Sequence, residues 1–174
     1  MSTHYHSLQS YLTFRLANET FAIHVSKIVK ILEMQKITEV PKAPSFMKGV
    51  INLRGDVLPV IDAHEKFGMK AEDYDSKTCI LVLSTKTQGD ALHVGVIVDS
   101  VLDVVKYPEE EIKNAPTLGS RYSSEVVDGV MKKEDDFIMI LNVDHVFSTD
   151  EIISLTESKA TQDKDSPSSD QLQK

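Results

Sequence analysis

Gly49-Val-Ile-Asn-Leu-Arg-Gly-Asp-Val-Leu-Pro-Val-Ile-Asp62 sets two β-branched apolar runs on either side of an Arg-Gly-Asp tip. Val50 and Ile51 read as the end of one strand and Val57 to Ile61 as the next, with Gly55-Asp56 supplying the turn. This hairpin places Arg54 at the rim of a sheet. A guanidinium held there presents five donors in a fixed fork and keeps its charge, which suits recognition of a partner's carboxylate. Taken alone, the motif slightly favours a solvated turn arginine.

The same pattern occurs twice. Phe21, Ile23, Val25, Ile28 and Ile31 align with Val94, Val96, Val98, Val101 and Val104 at a constant offset of 73. Ala43-Pro44 recurs as Ala115-Pro116, Gly49-Val50 as Gly129-Val130, and Asp56 to Ile61 as Asp136 to Leu141. Four landmarks in order indicate two copies of one supersecondary unit, each the size of a small barrel.

Five short strands are expected in each copy. They are 11–16, 20–25, 36–40, 48–53 and 57–61, then 78–84, 92–98, 104–107, 129–131 and 137–141. Short strands with Gly, Asn and Pro punctuation favour closed barrels, which leave no free sheet edges. Apolar residues at three-residue steps (Val25, Ile28, Ile31 and Val98, Val101, Val104) suggest a helical turn joining strands in each copy. Ala63 to Phe67 reads as a short helix and Thr149 to Leu155 as a capped terminal helix. From 156 to 174 the chain has too little apolar surface to offset its ordering entropy and reads as a disordered tail. The expected architecture is all-β: one folded region, 8–155, containing two barrels over about 11–61 and 78–141, with short connecting helices and a C-terminal helix.

Composition narrows the function. The 174 residues are 41% hydrophobic, with no apolar run long enough to span a bilayer, so no direct membrane insertion is expected. Lys+Arg of 19 against Asp+Glu of 27 gives a net charge of -8, which repels nucleic-acid phosphates. The amino terminus lacks the basic and apolar regions of a secretory signal, and Cys79 is the one cysteine, so a reducing cytosol is the expected setting. In Thr-Cys-Ile-Leu-Val-Leu83 that thiol reads as a small buried strand residue.

No catalytic, cofactor or metal constellation emerges. The seven glycines form no phosphate cradle, and one cysteine with six scattered histidines gives no zinc spacing. Asp62-Ala-His64 and Asp144-His145 are the nearest acid and imidazole pairs. Each follows a strand into a helix start, where aspartate routinely caps. They could act as acid and base only by sharing a cleft. A free-standing SH3-like module reading proline-rich peptides would need an aromatic-lined groove, and with no Trp and 6% aromatics it has little support.

Val40-Pro-Lys-Ala-Pro44, Gly49-Val-Ile-Asn-Leu-Arg-Gly55, Val57-Leu-Pro-Val-Ile-Asp62 and Val94-Gly-Val-Ile-Val-Asp-Ser-Val101, in this order, resemble the CheW family of bacterial chemotaxis coupling proteins. The resemblance runs from about Tyr11 to Phe147. It implies two intertwined five-stranded SH3-like barrels and no catalytic activity. It implies an adaptor in membrane-bound receptor arrays, coupling the cytoplasmic tip of a methyl-accepting chemoreceptor to the regulatory domain of the histidine kinase CheA. On matching positions, Arg54 corresponds to an arginine in partner contacts, with Asn52 in the same motif. Gly49 and Gly55 correspond to backbone-shaping glycines. Ile28, Ile31 and the stretch containing Val96, Val98 and Val101 would line or support a receptor groove. Two departures stand out: Lys30-Ile31 where the family usually carries Glu-Ile, and Ala63-His64 in place of the commoner Leu-Arg. A reversed charge at an interface edge alters pairing more than fold, so the alternative is a scaffold of an auxiliary chemosensory pathway with an output other than flagellar motility.

Overall fold

The computed structural model describes residues 7–70, 73–87, 90–114 and 126–146. Ten strands carry the chain: β1 Leu8–Leu16, β2 Glu19–His24, β3 Ile28–Glu33, β4 Met47–Leu53, β5 Asp56–Asp62, β6 Cys79–Thr87, β7 Asp90–Val98, β8 Ser100–Pro108, β9 Val127–Lys133 and β10 Asp136–Leu141. Two single-turn helices, α1 Ala63–Lys66 and α2 Val143–Val146, follow β5 and β10. The expected strand 57–61 and helix 63–67 are present as β5 and α1. The terminal helix and the tail lie outside the described residues.

The strands form two five-stranded sheets, in the orders β8-β1-β2-β10-β9 and β3-β6-β7-β5-β4. Neither sheet is one sequence repeat. The first repeat (β1 to β5) gives β1 and β2 to the first sheet and its other three strands to the second. The second repeat (β6 to β10) does the reverse. In each sheet the join is a parallel pair, β2 with β10 through Met139↔Phe21 and Ile140↔Ala22, and β7 with β5 through Gly95↔Val60 to Ile97↔Asp62. All other pairings are antiparallel. The two barrels are therefore intertwined, as the family resemblance implies.

This exchange explains the near-continuous apolar runs at 80–83 and 94–98. Strands buried on both faces need apolar residues at every position. Leu81, Leu83, Val94, Val96 and Val98 turn toward the core shared by the two sheets, where they meet Phe14, Leu16, Phe21 and Ile23. Ile80, Val82 and Ile97 turn the other way and, with Leu58 and Val60, fill the interior of the second barrel. Tyr11, Ala22, Met131, Ile138 and Ile140 fill the first.

Three expectations need correction. Only Val25–Lys27 of the first supposed helical turn is helical, as a 3-10 turn, and Ile28–Glu33 is an edge strand. The stretch Val98 to Val104 contains no helical turn: β7 ends at Val98, the chain bends, and β8 begins at Ser100. Residues 36–40 form no strand either, and contribute one isolated bridge, Thr38↔Val50. The three-residue spacing misleads because an edge strand can leave apolar side chains on its open face, where helix and strand periodicities coincide over so few residues.

Cys79 opens β6 and is partly buried. Burial pushes its thiol up, only partly offset by the hydrogen bond with the Val101 backbone. Alkylation by iodoacetamide at pH 7 is expected to run at least about tenfold slower in the native chain than in urea, because the thiolate is the reactive species. Equal rates would make Cys79 an accessible, activated thiol.

Candidate functional site

The β4–β5 hairpin is closed by the pair Leu53↔Asp56, so the two turn residues are Arg54 and Gly55, one position earlier than Gly55-Asp56. Both have left-handed backbones, with φ of 53° and 89°. Such two-residue turns match the twist of the flanking strands. The Asn52 carboxamide oxygen accepts the Gly55 N–H at 2.8 Å and pins the turn from beneath. Asn52 thus shapes the tip that presents Arg54. Among the described residues no hydrogen bond or ion pair holds the exposed Arg54 guanidinium, and Val57, 41% exposed, stands on the same hairpin.

Gly49 acts through its backbone. Its φ is 151°, and a Cβ there would lie 2.0 Å from the Thr38 carbonyl oxygen. The close approach lets Thr38 and Val50 exchange two backbone hydrogen bonds, of 2.9 and 2.8 Å. Gly129 does the equivalent work in the second repeat, beside the bridge between Lys113 and Val130.

The other sequence candidates separate into two groups. Val96 and Val98 are interior, and Ile28 and Val101 pack partly onto the same shared core, so these four support a surface from below. Lys30 and Ile31 sit on β3 at the open edge of the second sheet, with Ile31 47% exposed and Lys30 half-buried. In strand order β3 and β4 are opposite edges, so Lys30 and the Arg54 hairpin are not neighbours within the sheet. The sequence reading missed Val29, exposed beside Ile31, and the matching exposed residues Leu102 and Val104 on edge strand β8. The offset of 73 that aligns Ile31 with Val104 also aligns Val29 with Leu102, and that was the available signal.

The two acid and imidazole pairs do not form a catalytic cleft. Asp62 caps α1 as expected, accepting the His64 backbone N–H at 2.9 Å, and its Oδ1 lies 3.0 Å from His64 Nδ1. Both side chains are 1% exposed, which leaves no access for a substrate. Asp144 lies within α2, whose cap is Asn142, accepting the His145 N–H at 3.1 Å. Asp144 instead pairs with Lys27 Nζ at 2.8 Å and accepts the Lys86 N–H at 3.1 Å. Burial raises its carboxyl, but these two hydrogen bonds and the Lys27 charge outweigh it and hold the group below the usual carboxylate range. Among the described residues no group of three or more His, Cys, Asp or Glu is placed to hold a metal, and no helix is long and apolar enough to cross a membrane.

The family model for the CheW-like domain matches residues 10–151. The chain belongs to the CheW-like domain family. Its relatives include the chemotaxis protein CheW of Klebsiella aerogenes, 31% identical over 144 residues that cover 83% of this chain and 84% of the relative. CheW of Bacillus subtilis is 30% identical over 135 residues, covering 78% and 84%. The crystal structure of the scaffolding protein TtCheW from Thermoanaerobacter tengcongensis superimposes with a TM-score of 0.75 at 26% identity, covering 87% of this chain and 95% of that one.

Proposed function

We propose that this CheW-like chain is a non-enzymatic scaffold of chemotaxis signalling, holding the cytoplasmic tip of a methyl-accepting receptor and the regulatory domain of the histidine kinase CheA in one complex. The observation that carries this reading is the Arg54 tip: a permanently charged fork without a partner among the described residues, on a turn fixed by Asn52 and beside exposed Val57. A rigid cation flanked by apolar surface is the kind of anchor that dominates binding energy at protein interfaces. The apolar edge of β3, with Val29 and Ile31 exposed, offers a second contact surface. Titration of the intact chain against a receptor-tip fragment and a kinase regulatory domain tests the assignment; saturable binding to each is expected, and binding to neither would overturn it.

Lys30 supports a particular choice of partner. It lies on the open edge of β3 and makes no ion pair among the described residues. Lys30→Glu is expected to leave the fold intact and to change the ratio of affinities for cognate and non-cognate partners by about tenfold, or about 1.4 kcal/mol. An unchanged ratio in side-by-side titrations would remove Lys30 from the specificity argument.

A further inference from the structure

We propose that His64 is a proton-dependent clasp between the two barrels, closed by the imidazolium and opened when one ring nitrogen gives up its hydrogen. The imidazole is 1% exposed and lies between two carboxylates, with Nδ1 3.0 Å from Asp62 Oδ1 and Nε2 2.9 Å from Asp99 Oδ1. Those carboxylates belong to different parts of the fold. Asp62 ends β5 in the second sheet, whereas Asp99 occupies the bend where the chain crosses from β7 in the second sheet to β8 in the first.

Each carboxylate is held in turn. Asp62 Oδ2 accepts the Tyr74 hydroxyl at 3.0 Å, and Asp99 Oδ2 accepts the Ala17 N–H at 2.7 Å, in the β1–β2 turn. Ala17 has a φ of 54°, a left-handed conformation that a residue with a Cβ adopts at a cost. A single chain of contacts therefore runs from Tyr74 through Asp62, His64 and Asp99 to Ala17, tying the second sheet to the first.

Only the imidazolium carries a hydrogen on both nitrogens. The neutral ring can donate to one carboxylate, and its other nitrogen then turns a lone pair toward a negative charge. The Nε2 arm is the one to open. Its approach to Asp99 is short but off the hydrogen-bond axis, whereas Asp62 is fixed by three donors, including the His64 backbone. The groups facing the ring are Asp62 and Asp99; Tyr74 stands behind Asp62, with Glu65 on α1 adding to the field at Tyr74. Burial by itself favours the neutral ring, but the two flanking aspartates outweigh it and raise the imidazole above its ordinary value. The clasp therefore stays closed to a higher pH than an ordinary histidine would allow, and opens as pH rises through the folded midpoint.

The sign follows from linkage. A group whose folded-state pKa is raised contributes stability that is complete below the unfolded value, about 6.5, and is lost as pH rises through the folded midpoint. Residue-resolved NMR titration of His64, with denaturant unfolding and amide exchange from pH 6 to 9, tests this in the full chain. His64 is expected to titrate above 6.5, with the folded-to-unfolded ratio falling by up to about tenfold for each pH unit between the two midpoints. The Ala17 amide should lose protection over the same range, relative to amides within β6. Asp99→Asn removes the opening arm while keeping the bend polar, and should lower the His64 midpoint and flatten the pH slope. A His64 midpoint at or below 6.5, or an undiminished slope in Asp99→Asn, would overturn the clasp.

Discussion

Gly49→Ala is expected to cost more than about 4 kcal/mol of folding stability, placing it in the small class of severely destabilising substitutions. The added methyl would meet backbone: the Thr38 carbonyl oxygen at 2.0 Å and carbon at 2.7 Å, with Ile37 Cγ2 at 2.9 Å. Backbone cannot rotate away as a side chain can. Relief requires breaking the two hydrogen bonds between Thr38 and Val50, each worth about 1 kcal/mol, and opening the seam they close. The φ of 151° adds strain that no other L-residue escapes cheaply. Two further glycines provide an internal scale. At Gly129 the methyl would meet Ile112 Cγ2 at 2.4 Å, with the nearest backbone atom, the Lys113 carbonyl oxygen, at 3.0 Å rather than 2.0 Å; at Gly55 nothing lies within 4 Å and only the positive φ of 89° opposes it. Denaturant unfolding of the three alanine variants should rank the losses Gly49, Gly129, Gly55. Equal losses would mean that backbone entropy, rather than collision, governs all three.

Arg54→Glu is expected to leave stability within about 0.5 kcal/mol while weakening partner binding by about 2 to 5 kcal/mol. Arginine and glutamate meet the left-handed turn with comparable strain, so reversal exchanges charge without changing what the backbone needs. Binding loses a charge-assisted contact and gains like-charge repulsion. In affinity this is tens- to thousands-fold. Arg54→Gly is the complementary control: it relieves the strain at φ 53°, so the turn should be at least as stable, yet it also deletes the guanidinium. Thermal melts with titrations against receptor tip and kinase regulatory domain separate the cases. If both variants melt normally and bind normally, Arg54 is not a contact; if Arg54→Glu alone unfolds, the side chain is structural.

Where a residue's environment was local, the sequence disclosed it. The hairpin at 49–62 and the aspartate cap before α1 both follow from neighbours in the chain. The third strand of the first repeat did not, and that of the second was legible only over 104–107. Ile28–Glu33 and Ser100–Pro108 are sheet edges, and apolar side chains such as Val29 and Val104 on their open faces erase the alternation that marks a half-buried strand. The candidate partner residues were only partly separable for the same reason: valines at 96 and 98 look like those at exposed edges until the opposing sheet is known. His64 was legible as a neighbour of a cap. Its second carboxylate arrives from the distant bend at Asp99, a pairing set by the crossing of the chain between sheets.

That crossing also bears on what half of this molecule could do. A single repeat possesses an opening pair of strands and a closing trio, yet no sheet to which both belong. Alone it would expose the flank of its second strand, the one that runs parallel to its neighbour, along with apolar residues on both faces. Two such half-length chains could remedy this by trading opening pairs, forming a symmetric dimer in which each barrel is shared property. The present chain has that arrangement with the two partners joined in tandem by residues 67–78. A cut in this connection would therefore leave the pieces clasped to one another, and the barrels, though two in shape, must form and dissolve as one.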